Sequence, residues 1–199
     1  MKYVNQLEYP DWFYVTKTDL EDEARRKHGE TTTVKSSACG LCSAVMVADR
    51  LLVDNTFDLL QAINLAYEVG ANKWVGTSMK VFGPAFAEKL GLELEMTSDP
   101  ERLRYCLRTG GAAVLHSGGD KEGYTGVFTH GGHYMAAIAE ERDGRIAVLD
   151  PSYKPGKYDE EGRKGKVEVK HDVIALCDAQ VLVEDGSNRT PCFYLFWRK

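Results

Sequence analysis

Apolar residues at 41, 44, 45, 48, 51 and 52 recur every three or four positions between Cys39 and Leu52, a spacing that predicts a helix with one broad buried face. The same period continues over Thr56 to Val69 and over Ser78 to Leu90, while Thr18 to Lys27 reads as a shorter polar helix. Ser98, Asp99, Pro100 and Glu101 form a helix start: a capping side chain, a proline in the first turn and a glutamate three residues after the serine. Gly110 and Gly111 end that helix. Beyond this point the period changes. The runs AAVLHS (112–117), HYMAAIAE (133–140), RIAVLDP (145–151), KVEVKH (166–171) and CFYLFWRK (192–199) are short β-type segments bounded by Gly, Asp and Pro. Helices first and strands after predict an α+β fold in one domain spanning residues 1–199. A helical part, about 1–110, would pack on a mostly antiparallel sheet, about 111–199, with a groove between them.

Composition narrows the function classes. The 199 residues are 43% apolar and 28% charged, ordinary for a globular chain able to bury a core, and no repeat or Gly/Pro/Ser-rich linker divides them. A net charge of -5 argues against a nucleic-acid partner, which needs clustered Lys and Arg. The one basic stretch, Arg163 to Lys170, is broken by Gly165 and Glu168 and reads as a solvated loop or edge strand. No apolar run approaches the ~20 residues that span a bilayer, and the N-terminus lacks the apolar core of a secretion signal, so no membrane association and a cytoplasmic location are expected. The five cysteines, at 39, 42, 106, 177 and 192, are odd in number and scattered, which points to reduced thiols rather than a disulfide framework.

Cys39 and Cys42 stand three apart at the start of the first buried helix, and three chemistries compete for them. A thioredoxin-like redox pair needs an apolar strand feeding the motif, whereas GETTTVKSSA precedes it, with Val34 the only sizeable apolar side chain. A structural zinc site needs a second ligand pair, and Cys106, Cys177 and Cys192 are isolated. The third reading makes Cys39 a nucleophile whose thiolate is favoured by the unpaired N–H groups and dipole of the helix start. Cys42, one turn further in, is then a packed thiol.

A nucleophilic cysteine needs an imidazole in reach, itself held by an acceptor. His28 and His171 lie in charged segments and are expected in solvent; His116 ends a strand and suits either core or cleft; His130 and His133 flank a Gly-Gly pair. His133 opens an apolar strand, and Asp150, seventeen residues on, closes the next, with a hairpin turn in EERDGR between them. A two-residue turn at Asp143-Gly144 would pair Asp150 with Ala137, ~13 Å of strand from His133, so their meeting requires a wider turn or a bulge. An oxyanion needs two donors: the Cys39 backbone N–H is one, and Gln6, the glutamine before Cys39, is a candidate for the other. Trp12, Trp74, Tyr134 and Tyr153 are candidate groove residues.

The segments YVNQLEYP (3–10), TVKSSACG (33–40), GGHYMAAIA (131–139) and AVLDP (147–151), in this order, resemble the papain-like cysteine peptidases, specifically the branch similar to the bacteriocin-processing (double-glycine leader) peptidases. WVGTSMKVFGPAFAEKLGLELE (74–95) also looks like that branch. The resemblance implies a papain-like fold, with Cys39 as nucleophile, His133 as general base and acid, Asp150 as the orienting carboxylate and Gln6 as oxyanion donor. It also implies a peptide or other amide substrate, with no metal or organic cofactor required. The chain departs from the family's Gly-Cys-Gly-Pro-Thr/Ser at Ala38-Cys39-Gly40-Leu41-Cys42. Two rival readings stay open: a peptide-binding or scaffold domain that has lost turnover, and a Cys39–Cys42 redox protein. Oligomeric state has no signature in the sequence.

Overall fold

The computed structural model describes residues 1–14 and 32–199, so the polar helix expected over Thr18 to Lys27 lies outside the described residues. A single 3-10 turn, Gln6–Glu8, precedes six helices among the described residues: α1 (Val34–Ser37), α2 (Cys39–Leu51), α3 (Leu59–Glu68), α4 (Met79–Leu90), α5 (Pro100–Arg108) and α6 (Ala179–Gly186). The strands are β1 (Asn72–Lys73), β2 (Gly76–Thr77), β3 (Leu92–Thr97), β4 (Ala112–Ser117), β5 (His133–Glu140), β6 (Ile146–Leu149), β7 (Glu168–Lys170), β8 (Ile174–Cys177) and β9 (Phe193–Arg198). β1 and β2 form a small hairpin, and the rest form one sheet in the order β3-β9-β4-β5-β6-β8-β7 with antiparallel neighbours throughout. The fold is thus α+β, with β7 at one sheet edge as the basic stretch suggests. Arg163, in the same stretch, is buried instead, its Nε donating to the Gly126 carbonyl at 2.8 Å.

Strand alternation explains why these segments read as nearly continuous apolar runs. Val114, Ala136, Leu149 and Phe196 face a core built with α2, α3 and α4, while Leu115, Ala137, Val148 and Leu195 face a second core with α5 and α6. Both faces of the central strands are covered, so those strands are apolar at nearly every position, whereas the edge strands β3 and β7 are only partly buried. Four elements depart from the helices-then-strands order: the short β1–β2 hairpin lies between α3 and α4, and β3 and α6 are the other two. β3 joins the sheet at its edge from within the helical half; its LELEMT alternates polar and apolar residues, a half-buried pattern easily absorbed into the end of α4. α6 interrupts the strands as a helix of 8 residues, too short for a clear period.

Local chemistry sets the helix ends. α3 begins with a capping box in which Asp58 Oδ1 accepts from Gln61 N at 2.9 Å and Gln61 Oε1 accepts from Asp58 N at 3.0 Å. At α5 the cap is Asp99, which accepts from Glu101 N at 2.9 Å, rather than Ser98. Ser98 is engaged elsewhere, its Oγ accepting from Cys192 N at 3.2 Å and tying the helix start to β9. Among the described residues no helix is long and apolar enough to cross a membrane.

Candidate active site

Cys39 is the first residue of α2, which follows α1 after a one-residue break at Ala38 and runs through the core with Leu41, Cys42, Val45, Met46 and Ala48 fully buried. The next residue is glycine for a steric reason. A Cβ at Gly40 would sit 3.0 Å from Thr77 Cβ and 3.2 Å from Tyr134 Cδ2, so only glycine lets the start of α2 approach β2 and β5 this closely. Cys39 is half-buried and opens onto a cavity of about 370 Å³.

The β5–β6 hairpin brings His133 and Asp150 together by the two devices the register requires. Glu141 N donates to Arg145 O at 2.8 Å and closes a three-residue loop in which Gly144 takes φ 85°. The register then shifts by one between Ala137 and Ala139, a β-bulge. With Leu149 opposite Ala136, continuation of the pairing sets Asp150 opposite Met135, diagonal to His133. His133 Nε2 lies 2.8 Å from Asp150 Oδ1. The other ring nitrogen is not used in that bond, and the ring and the Cys39 thiol are close enough to shift one another's proton affinity.

The three groups shift one another's proton affinities. Burial disfavours the Asp150 carboxylate, but the charge and hydrogen bond of His133, together with the Lys157 ammonium, outweigh it and hold the carboxyl far below its usual range. Burial also opposes a charged His133; Asp150, and then Cys39, override this and raise its pKa from 6.5 to about 9. For Cys39 burial again disfavours the ion, yet the hydrogen bond and charge of His133, with the backbone N–H groups of Tyr134 and Gly40, bring the thiol below its ordinary value of 9.0. One turn away, burial and the neighbouring Cys39 push the Cys42 thiol well above that value.

Gln6 reaches this site through the N-terminal segment, which runs along the loop after β6. Tyr3 Oη donates to Asp150 O at 2.7 Å, Asn5 Nδ2 to Tyr153 O at 3.0 Å, and Gln6 N to Pro151 O at 2.7 Å. Gln6 is buried, and its Nε2 donates to the carbonyl of Lys35 at 2.7 Å, which fixes which end of the amide carries the hydrogens. The amide therefore lies between the segment leading into Cys39 and the segment leaving Asp150, with its second N–H not used in that bond.

Sequence reasoning missed the rest of the Asp150 environment. Ser152 N donates to Asp150 Oδ1 at 2.9 Å, an Asx turn legible in Asp-Pro-Ser with hindsight. Ser152 Oγ lies 3.1 Å from the same oxygen and 3.0 Å from His133 Nε2. Tyr158 Oη donates to Asp150 Oδ2 at 2.7 Å, and Lys157 Nζ bonds that oxygen as well as Ser152 Oγ. Nothing local in KPGKY marks Lys157 and Tyr158, because the loop must fold back before they meet the carboxylate.

The remaining candidates divide. Tyr134 lines the cavity beside Cys39, and His116, stacked on it with ring centroids 4.1 Å apart, is a cleft residue. Tyr153 instead stacks on Tyr158 at 5.8 Å, and Trp12 packs edge-on against Tyr9 at 5.1 Å. The segment around Trp74 contributes Lys73 and Val75 to the cavity wall. His130 is exposed, between Asp120 at 2.9 Å and Glu160 at 3.1 Å. Among the described residues no group of three or more His, Cys, Asp or Glu side chains is arranged to hold a metal ion.

No protein-family profile matches the chain. No curated protein is similar to it at a significant level. Among solved structures it is similar to a crystal structure from Bacillus anthracis described as a candidate C39-like peptidase, with 14% identity and a TM-score of 0.50, over 81% of this chain and 88% of that one. At that identity the likeness concerns the backbone, and with the mixed helices and antiparallel sheet it shows an α+β, papain-like fold.

Proposed function

We propose that the protein is a cysteine peptidase, an amide hydrolase that works through a thioester acyl-enzyme. One observation carries the reading: from three separate stretches of chain, Asp150 holds the His133 ring at 2.8 Å, and His133 and Cys39 act on each other so that the thiol is lowered and the imidazole raised in proton affinity. Structural packing does not call for that pattern, whereas a preformed thiolate–imidazolium pair does. The likeness to a described C39-like peptidase supports the same class.

In this reaction the Cys39 thiolate attacks the amide carbon, and the carbonyl oxygen takes the negative charge. The Cys39 backbone N–H and the second Gln6 N–H are the donors for that oxyanion, each worth ~3 kcal/mol of barrier. The imidazolium of His133 then gives its proton to the departing amine, and the thioester remains. Neutral His133 next takes a proton from water as the water attacks the thioester, and the thiolate leaves. Asp150 keeps the ring in place and stabilises its charged form throughout. In the finer reading the protein belongs with the C39-like branch, with Leu41 and Cys42 standing where that branch has proline and a hydroxyl residue.

The test is alkylation followed by cleavage. Iodoacetamide at pH 6 should label Cys39 selectively over Cys42, His133→Ala should abolish the selectivity, and a peptide library should give cleavage products absent with Cys39→Ala. Equal labelling of the two cysteines, or none, sinks the proposal and leaves a peptide-binding domain without turnover.

A further inference from the structure

The cavity beside Cys39 has a charge character opposite to that of the whole chain, which carries -5. Arg189 stands in its wall, held after α6 by a backbone hydrogen bond from Arg189 N to Gly186 O at 2.8 Å. Its guanidinium lies against the residue before His133: a Cβ added at Gly132 would meet Arg189 Nη2 at 3.3 Å. The cation thus lies beside the backbone that leads into His133 and shares a cavity with the thiol.

What Arg189 lacks is a carboxylate. Among the described residues it has no ion pair, and its Nε is buried without a hydrogen-bond partner. A second cavity of about 300 Å³ continues from the first through Ser78, His116, Tyr134 and Arg189, and Lys80 stands in its wall. Among the described residues neither cavity is lined by an Asp or Glu. Several other arginines do take acidic partners: Arg102 with Glu95, Arg104 and Arg108 with Glu140, Arg145 with Asp143 and Glu168, and Arg163 with Glu160.

We propose that Arg189, with His116 and Tyr134 as the walls, forms a subsite for a carboxylate of a peptide substrate, so that the protein selects peptides carrying an acidic group within about three residues of the attacked amide. The proposal rests on Cys39 being the nucleophile. A guanidinium presents a planar fork of N–H donors that fits a carboxylate in two parallel bonds, and a partly desolvated fork without a partner penalises substrates that cannot supply one. The three-residue limit reflects that Arg189 and Cys39 line one cavity, since three residues of extended peptide at ~3.3 Å each already cover about 10 Å. His116 suits a wall rather than a competing cation: burial, with the charge of Arg189 behind it, pushes its pKa down to about 4, so the ring is neutral at neutral pH. Lys80, in the wall of the second cavity, adds to the positive field. Asp or Glu side chains and a free C-terminal carboxylate share this chemistry.

Two measurements test it. Iodoacetate and iodoacetamide are near-isosteric and differ by one negative charge, so the ratio of their rates at Cys39 reads the local field without a substrate. The ratio should fall about three- to tenfold in Arg189→Gln and much less in Arg189→Lys. On C-terminally amidated fluorogenic peptides scanned with Glu against Gln over three positions on each side of the scissile bond, the wild-type protein should prefer Glu about 10- to 100-fold in kcat/KM at one position or more. That preference should shrink in Arg189→Gln and reverse towards Gln in Arg189→Glu. A preference that appears only when the peptide ends in a free carboxylate identifies the C-terminus as the group bound. Selective labelling of Cys39 with an unchanged reagent ratio in Arg189→Gln, together with indifference to Glu, free C-terminus and Gln alike in the wild type, overturns the proposal while leaving the peptidase reading intact. Failure of both reagents to label Cys39 selectively removes the nucleophile, and this inference with it.

Discussion

Asp150 and Asp185 are both buried and both collect several donors, yet they are built for different work. Asp185 accepts from Ser117 Oγ at 2.7 Å, Tyr124 Oη at 2.8 Å, Val127 N at 2.7 Å and Phe128 N at 3.1 Å. All four donors are neutral; Ser117 ends β4, and the other three belong to the loop that leads from β4 to His133. Asp150 accepts from Ser152 and Tyr158 in a similar way, but also from His133 and Lys157, groups that carry or exchange protons. A carboxylate satisfied by hydroxyls and amides fixes a backbone path. One satisfied by an imidazole in contact with a thiol also sets where a proton resides. The partners, and not burial, separate the scaffold from the chemistry.

Substituting the two residues in parallel tests that distinction most severely. Asp150→Asn is expected to cut Cys39-dependent hydrolysis about 10³- to 10⁴-fold, because the ring loses the charge that orients it and favours its protonated form. Asp185→Asn should act mainly on stability, by about 1–3 kcal/mol as its buried donors lose an acceptor, seen as a lower denaturant midpoint. An equal fall in turnover per folded molecule for both variants would erase the contrast.

The pH dependence sharpens it. With the Cys39 thiol below 9.0 and His133 at about 9, the charged pair should occupy a window that opens on the acid side of an ordinary thiol's titration and closes near pH 9. Turnover should therefore fall on the alkaline side as His133 loses its proton. The stability linked to His133, whose pKa is raised on folding, is fully present below about 6.5 and lost as pH climbs through about 9; melting temperatures read this directly. The Asp150 contribution has the opposite sign. It is present above the unfolded carboxyl range and is lost only in strong acid.

Smaller effects come from the neighbours. Lys157→Met removes a cation from the Asp150 cluster and should move the alkaline limb upward by about half a unit, since His133 then has the carboxylate to itself. A downward shift would mean that Lys157 supports the imidazolium rather than competing with it. Cys42→Ser should leave the labelling profile of Cys39 where it is and cost about 1 kcal/mol for a hydroxyl placed among apolar side chains. Loss of activity on that substitution would revive the redox reading of the pair.

Local pattern was enough for much of this protein. The period over Cys39 to Leu52 located α2 to within a residue, and AAVLHS and HYMAAIAE mark β4 and β5 at their observed bounds, because burial of a helix stripe or a strand face leaves its spacing in the chain. The approach of His133 and Asp150 was legible as a hairpin together with the slack it needed. Where that slack would come from was not: a three-residue loop and a bulge differ from a tight turn by energies that the packing of both sheet faces decides.

The amino-acid order by itself determined the α+β class and the candidate groups at 39, 133, 150 and 6. Tertiary structure alone decided the coverage of both sheet faces, the enclosure of Asp150 by Lys157 and Tyr158, and the placing of Arg189 against Gly132 beside the thiol cavity. The physical reason is range. Periodicity and capping are written in neighbouring residues, whereas the charge a buried group keeps depends on which side chains from distant segments replace its water, and only the folded chain makes that choice.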